Sequence, residues 1–141
     1  MFQTILLAID GSENARRAAE AACGLVRVIN GASLVVVYVA PNPPSQSRIM
    51  KADFDVHTLL LEDAQTVAGQ TLEYIRNASV PYTLEAGMGD PATEILKIGE
   101  KIKAGLIVIG SRGLGSLKGV VQGSVSQKVA QLAACPVMIV K

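Results

Sequence analysis

Short apolar runs rich in β-branched residues recur along this chain, separated by segments with helical spacing. Such runs are typical of strands buried on both faces of a sheet. Buried strands that alternate with helices form a parallel sheet with right-handed crossovers and helices on both faces. Four predicted strands are apolar runs, the last of them an edge strand in the proposed order, and a fifth, at residues 81–86, alternates and is more exposed. The others are residues 4–9, 33–39, 106–109 and 136–140.

Four helices are predicted between these strands. The first follows the turn at residues 10–12, the longest covers residues 54–78, and Asp90 before Pro91 gives the third an N-cap and a proline at its first position. Residues 40–47, rich in proline and serine, predict a loop without regular structure. The 141 residues suit one domain, residues 1–141. We expect an α/β fold, a single doubly wound five-stranded parallel sheet in the order 3-2-1-4-5.

Composition narrows the class of protein. Half of the residues are apolar and 18% are charged, which is typical of a globular domain. No apolar run approaches the roughly 20 residues that a membrane span needs, and the first four residues lack the basic start of a signal peptide. We therefore expect a cytoplasmic protein with no membrane partner. Cys23 and Cys135 lack CxxC spacing and are expected to be free thiols.

Residues 110–126, with the sequence GSRGLGSLKGVVQGSVS, connect the fourth strand to the last helix. Glycines let backbone N–H groups approach an oxyanion, and the first turn of a helix adds unpaired N–H donors. Ser124 is a candidate N-cap, and Gln127 three residues later completes a capping box. This arrangement predicts a phosphate site, with Ser124, Val125 and Ser126 at the mouth of the helix.

The basic residues are concentrated in the same part of the chain. Residues 101–141 contain six basic and no acidic residues, whereas the first hundred contain all 12 acidic residues and seven basic ones. The net charge of +1 gives no long-range attraction to nucleic acid or to an acidic membrane. A small anion is therefore the expected partner, and we expect no nucleic-acid partner.

The glycine spacing excludes two familiar phosphate motifs. No glycine here is followed by the GKS or GKT of a Walker loop, and GxGxxG fails because Lys118 stands at its last position. What remains is Gly110-x2-Gly113-x9-Gly123-Ser124, which resembles the nucleotide-binding signature of the universal stress protein family, ATP-binding branch, at every fixed position. The whole chain is similar to that family, including the turn at residues 10–12, the approach at residues 87–95 and the last-strand entry at residues 135–137.

The resemblance implies a Rossmann-like, adenine-nucleotide hydrolase-like fold that binds ATP. The nucleoside would contact the end of strand one, the adenine would contact backbone at Val39, the ribose would contact the end of strand four, and Mg²⁺ would be carried mainly by the triphosphate. By this similarity, the binding residues are Ala8, Ile9, Asp10, Val39, Ile109, Gly110, Arg112, Gly113, Gly123, Ser124, Val125 and Ser126.

The resemblance also implies a homodimer paired through the last strand, Val137–Val140, which is apolar and lies at a sheet edge in the proposed order. One position departs from the family pattern: Gly105 stands where an aspartate is often found before the fourth strand. No motif in the sequence identifies a protein partner other than a second copy of the chain.

Catalytic groups are sparse in the sequence. His57 is the single histidine, and we expect it to lie at the surface. The sequence shows no nucleophile–base pair and no cluster of metal ligands. The leading hypothesis is an ATP-binding regulatory protein with at most weak hydrolysis. Two alternatives stay open: a nucleotide-free interaction module of the same fold, and a slow ATPase or adenylate transferase that depends on Asp10 or Ser124.

Overall fold

A computed structural model describes residues 1–111 and 124–141. No helix in these two ranges is both long enough and apolar enough to cross a bilayer. The elements alternate along the chain as β1 (Thr4–Ile9), α1 (Glu13–Val28), β2 (Ser33–Ala40), α2 (Gln46–Lys51), α3 (Val56–Val67), α4 (Gly69–Asn77), β3 (Tyr82–Met88), α5 (Pro91–Lys101), β4 (Leu106–Gly110), α6 (Ser124–Leu132) and β5 (Val137–Val140).

The five strands form one parallel sheet in the order β3-β2-β1-β4-β5. The predicted order is therefore confirmed. The central strand β1 is buried on both faces: Leu6 packs with α5 and α6, whereas Leu7 packs with α1, α3 and α4. Both side chains are fully buried, because successive residues of a strand point to opposite faces and each face is covered by helices.

Two helices that border the sheet's carboxyl edge begin at side-chain caps. The Ser12 hydroxyl accepts the Ala15 N–H at 3.1 Å at the start of α1. Asp90 accepts the Thr93 N–H at 3.0 Å at the start of α5, and Pro91 occupies its first turn, as the sequence predicts. Each cap satisfies an N–H group that has no partner inside its helix, so both helix starts are defined.

The single helix predicted over residues 54–78 is wrong. The structure has two helices there, α3 and α4, which meet at Ala68 with φ −117° and ψ 26°. Asp53 and Phe54, at φ 53° and 63°, lie before α3 rather than inside it. Gly69 weakens the helix at the break, because glycine loses the most backbone entropy on ordering.

The loop predicted at residues 40–47 extends too far, because its last two residues belong to a helix. Helix α2 already begins at Gln46, because the Ser45 hydroxyl accepts the Arg48 N–H at 3.3 Å and caps it. The described residues therefore contain six helices where the sequence predicts four.

The glycine at position 105 has a local physical reason. A Cβ placed there would lie 2.2 Å from the carbonyl oxygen of Met1. The Gly105 N–H also donates to the Thr4 carbonyl at 2.8 Å, which holds the two segments close together. An aspartate at this position would require the N-terminal segment to move, so the departure from the family pattern fits this chain's packing.

Candidate functional site

A cavity of about 490 Å³ opens at the carboxyl ends of β1 and β4. The strand order reverses between these two strands, because β1 continues to β2 on one side and β4 continues to β5 on the other. Crossovers diverge to opposite faces at such a point and leave a crevice, where doubly wound sheets bind their ligands. The first turns of α1, α5 and α6 complete the walls of this cleft.

Eight of the twelve predicted site residues line this cavity, although they come from four separate parts of the sequence. Arg112, Gly113 and Gly123 lie outside the described residues. The eight are Ala8, Ile9, Asp10, Val39, Ile109, Gly110, Val125 and Ser126.

Ser124 does not line the cavity, and its side chain is exposed. It is the first described residue of α6, and its predicted N-cap position depends on residue 123, which lies outside the described residues.

Nine further residues line the cavity and were not predicted. Val37 lies two residues before Val39 in β2 and so shares its face, a signal that strand periodicity could have supplied. Val67 and Ile95 come from the crossover helices α3 and α5, and nothing in their local sequence marks them. The nine are Ser12, Ala15, Val37, Tyr38, Pro41, Val67, Pro91, Ile95 and Ser111.

The turn after β1 fixes the Asp10 carboxylate at the cavity. Its Oδ1 accepts the Ser12 N–H at 2.9 Å, and Asp10 remains exposed to solvent. Gly11, at φ 84°, allows this turn, since a Cβ there would be strained and would lie 2.5 Å from the Val67 carbonyl oxygen. Asp10 is thus a held carboxylate that can accept hydrogen bonds from a ligand hydroxyl.

Tyr38 is the aromatic residue of the cleft. It is buried, and burial raises the pKa of its hydroxyl, with smaller contributions from the Asp63 and Asp10 carboxylates. Removal from water disfavours the phenolate, and the nearby negative charges disfavour it further. Tyr38 therefore stays a neutral phenol at physiological pH.

An ion pair joins the N-cap of α5 to the middle of α6, the two helices on the other face. The Lys128 Nζ of α6 lies 3.3 Å from Oδ2 of Asp90, the N-cap of α5. Hydrogen bonds from the Thr93 hydroxyl and N–H, together with Lys128, lower the pKa of Asp90 to about 2. Asp90 is consequently ionised at neutral pH and forms a solvent-exposed ion pair with Lys128 of α6.

A second cavity, of about 520 Å³, lies between the first turn of α1 and the break between α3 and α4. Its lining is largely polar, and the Arg16 guanidinium beside it is bound to the carboxylates of Glu13 and Glu20. The cleft between β1 and β4 has apolar walls as well as helix starts, which suits a ligand with both an aromatic ring and an anion. We therefore take that cleft as the candidate site.

Within residues 1–111 and 124–141, no group of three or more His, Cys, Asp or Glu side chains is placed to hold a metal ion. His57 is exposed in α3. Cys23 is buried, Cys135 is half-buried, and both are free thiols.

The fold and the cleft define a class, the doubly wound α/β domains with an open crevice at the point where the strand order reverses. The universal stress protein family profile matches residues 1–141, and the chain belongs to that family. It is 38% identical over 143 residues to a universal stress protein of Thermus aquaticus, and 33% identical over 150 residues to universal stress protein YxiE of Bacillus subtilis. Each comparison covers all of both chains.

Solved structures share the fold. A universal stress protein in complex with cAMP superposes with a TM-score of 0.74 at 23% identity, covering 99% of this chain and 97% of the other. A universal stress protein from Archaeoglobus fulgidus in complex with dAMP superposes with a TM-score of 0.69 at 22% identity, covering 100% of both chains. These likenesses agree with the five-stranded sheet described above.

Proposed function

We propose that this protein binds ATP in the cleft between β1 and β4 and acts as a cytoplasmic, nucleotide-dependent regulatory homodimer of the stress response, with at most weak hydrolysis. The observation that carries the proposal is the cavity of about 490 Å³, which brings together the ends of β1, β2 and β4 and the start of α6. These segments are distant in sequence, and the glycine-rich segment at residues 112–123 joins two of them.

The cleft has the chemistry that an adenine nucleotide requires. Val37, Val39 and Ile95 supply apolar surface for a base, and Asp10 supplies an acceptor for ribose hydroxyl groups. The starts of α1 and α6 contribute the positive ends of two helix dipoles for phosphates. The cavity volume is within the range of about 300–1,000 Å³ found for small-ligand sites. Mg²⁺ bound to the triphosphate would reduce its charge in the cleft.

Two structural neighbours support the choice of an adenine nucleotide, since one is in complex with cAMP and the other with dAMP. Neither is a triphosphate. The preference for ATP rests instead on the spacing of Gly110, Gly113 and Gly123, and on the basic residues around it. A segment of this length has many N–H groups with which to surround more than one phosphate.

The homodimer is proposed from the edge of the sheet. β5 pairs with β4 alone among the described strands, and Met138 and Ile139 expose 37% and 41% of their surface. An exposed apolar edge strand promotes aggregation unless a partner covers it. A two-fold pairing of β5 with a second copy would cover both edges at once.

The test is calorimetric titration of the purified, nucleotide-stripped protein with Mg·ATP, alongside Gly113→Asp and Gly24→Asp. Both variants replace glycine with aspartate, but Gly24 faces open space in α1 and does not line the cleft. We expect saturable binding near one ATP per chain, lost in Gly113→Asp because its carboxylate repels phosphate, and retained in Gly24→Asp.

The other outcomes separate the alternatives. No heat up to millimolar Mg·ATP would contradict the proposal and favour the nucleotide-free interaction module. Steady release of phosphate or transfer of adenylate, abolished by changing Asp10 or Ser124, would favour the slow enzyme.

A further inference from the structure

A buried amide connects helix α1 to the end of β4. Asn14 is 8% exposed, and its Nδ2 donates to the carbonyl oxygen of Ser111 and, at 3.1 Å, to the Ser111 hydroxyl. The packing beneath this contact is tight, since a Cβ on Gly110 would lie 2.6 Å from the carbonyl carbon and oxygen of Asn14. The first turn of α1 therefore rests directly on the point where β4 ends.

Arg17 determines which way the Asn14 amide faces. Its Nη2 donates to Asn14 Oδ1, and its Nε donates to the carbonyl oxygen of Lys141 at 2.8 Å. A guanidinium has donors and no acceptor, so the amide oxygen must face Arg17 and the NH₂ group must face Ser111. The orientation of the amide thus follows from the arginine one turn further along α1.

Ser111 is held from its other side by the edge strand. Its N–H donates to the Val140 carbonyl at 2.7 Å, while its carbonyl and hydroxyl accept from Asn14. Ser111 is also the last described residue before the glycine-rich segment at residues 112–123. Three elements, α1, β4 and β5, therefore fix the residue from which that segment departs.

We propose that Asn14 is a positioning residue of the nucleotide site, which acts by holding Ser111 in place in the wall of the cleft. This inference rests on the proposed function and deepens it. Asn14 does not line the cavity, but Ser111 does, next in sequence to the segment to which the proposed function assigns the phosphates, so Asn14 should affect Mg·ATP more than AMP. The adenine contacts proposed for the ends of β1 and β2 involve neither Asn14 nor Ser111.

The test compares the affinities for Mg·ATP and AMP by calorimetry in the full chain and in Asn14→Ala. This change removes the amide without adding charge. We expect the affinity for Mg·ATP to fall by about tenfold and that for AMP by less than about twofold, since the lost amide hydrogen bonds hold Ser111, beside the segment proposed to bind the phosphates. Hydrogen exchange of the Ser111 amide in the nucleotide-free protein should also become faster.

Two further variants keep the test decisive. Arg17→Lys retains the charge, but an ammonium cannot reach two acceptors as the guanidinium fork does, so the Mg·ATP affinity should fall by about threefold. This variant replaces Asn14→Ala as the test if that protein fails to fold. Asn77→Ala, a matched change at the exposed end of α4, should alter neither affinity.

The results that overturn the inference are distinct from those that overturn the proposed function. Equal weakening of Mg·ATP and AMP would show a general structural role for Asn14, and unchanged affinities in both variants would show no role. If the unaltered protein binds neither nucleotide, the proposed function itself fails, and this is known before any variant is measured.

Discussion

Gly110→Ala adds one carbon atom where β4 meets the first turn of α1. The new Cβ would lie 2.6 Å from the carbonyl carbon and oxygen of Asn14 and 2.8 Å from the Ala15 nitrogen, whereas ordinary contact begins at 3.4 Å. All three atoms belong to backbone, so no side chain can rotate away. Helix α1 would have to move by most of an ångström relative to the central strands of the sheet.

The size of the effect follows from this geometry. Overpacking of a core usually costs about 1–3 kcal/mol, and we expect the upper end because the atoms that must move belong to a helix backbone. For a domain of this size, a loss of about 3 kcal/mol lowers Tm by roughly 10 °C. The same displacement moves Asn14 away from Ser111, so Mg·ATP binding should weaken as well.

Chemical denaturation of the variant measures the free energy of unfolding, with Gly24→Ala as the matched control. At Gly24 a Cβ meets nothing within 4 Å, so alanine should stabilise α1 by up to about 1 kcal/mol. Opposite signs for the two substitutions are the expected result. A Gly110→Ala protein within about 0.5 kcal/mol of the unaltered chain would refute the packing argument.

Two further predictions concern a helix start and the sheet edge. The folded pKa of Asp90 is about 2, below the ordinary value of 3.8, so its stabilising contribution is complete above pH 3.8 and is lost as the pH falls through 2. The unfolding free energy of Asp90→Asn should therefore decline less steeply between pH 4 and pH 2, and parallel acid-unfolding curves would contradict this. Ile139→Lys places a charge on the exposed face of β5 and should shift the proposed dimer towards monomer in sedimentation equilibrium, whereas Lys97→Met, on exposed α5, should not. An unchanged dimer in the β5 variant would place the interface elsewhere.

The strands could be predicted from their apolar or alternating runs, although β5 is a continuous apolar run that lies at the sheet edge. Both faces of β1 are covered, so its sequence is a continuous apolar run, whereas the edge strand β3 alternates. Placing β1 beside β4 then required only that the two loops with useful chemistry, after Asp10 and after Gly110, form one cleft. The structure confirms that placement, with Ala8 paired to Ile109.

Other features depend on tertiary contacts that no local pattern records. The break at Ala68 interrupts an apolar stripe that continues from α3 to α4, so the periodicity predicts one helix. Val67 and Ile95 reach the cavity because their helices cross the sheet at that point. Asn14 looks like an ordinary polar residue near a helix start, and its contact with Ser111 joins positions 97 residues apart.

The most direct test of the account is an amide NMR titration of the nitrogen-15-labelled protein with Mg·ATP. We expect the largest shifts at residues 8–10, at residues 109–111 and at the start of α6, which line the cleft between β1 and β4. Shifts centred instead on residues 65–71, which line the polar cavity beside α1, would contradict the central claim that the nucleotide binds in that cleft.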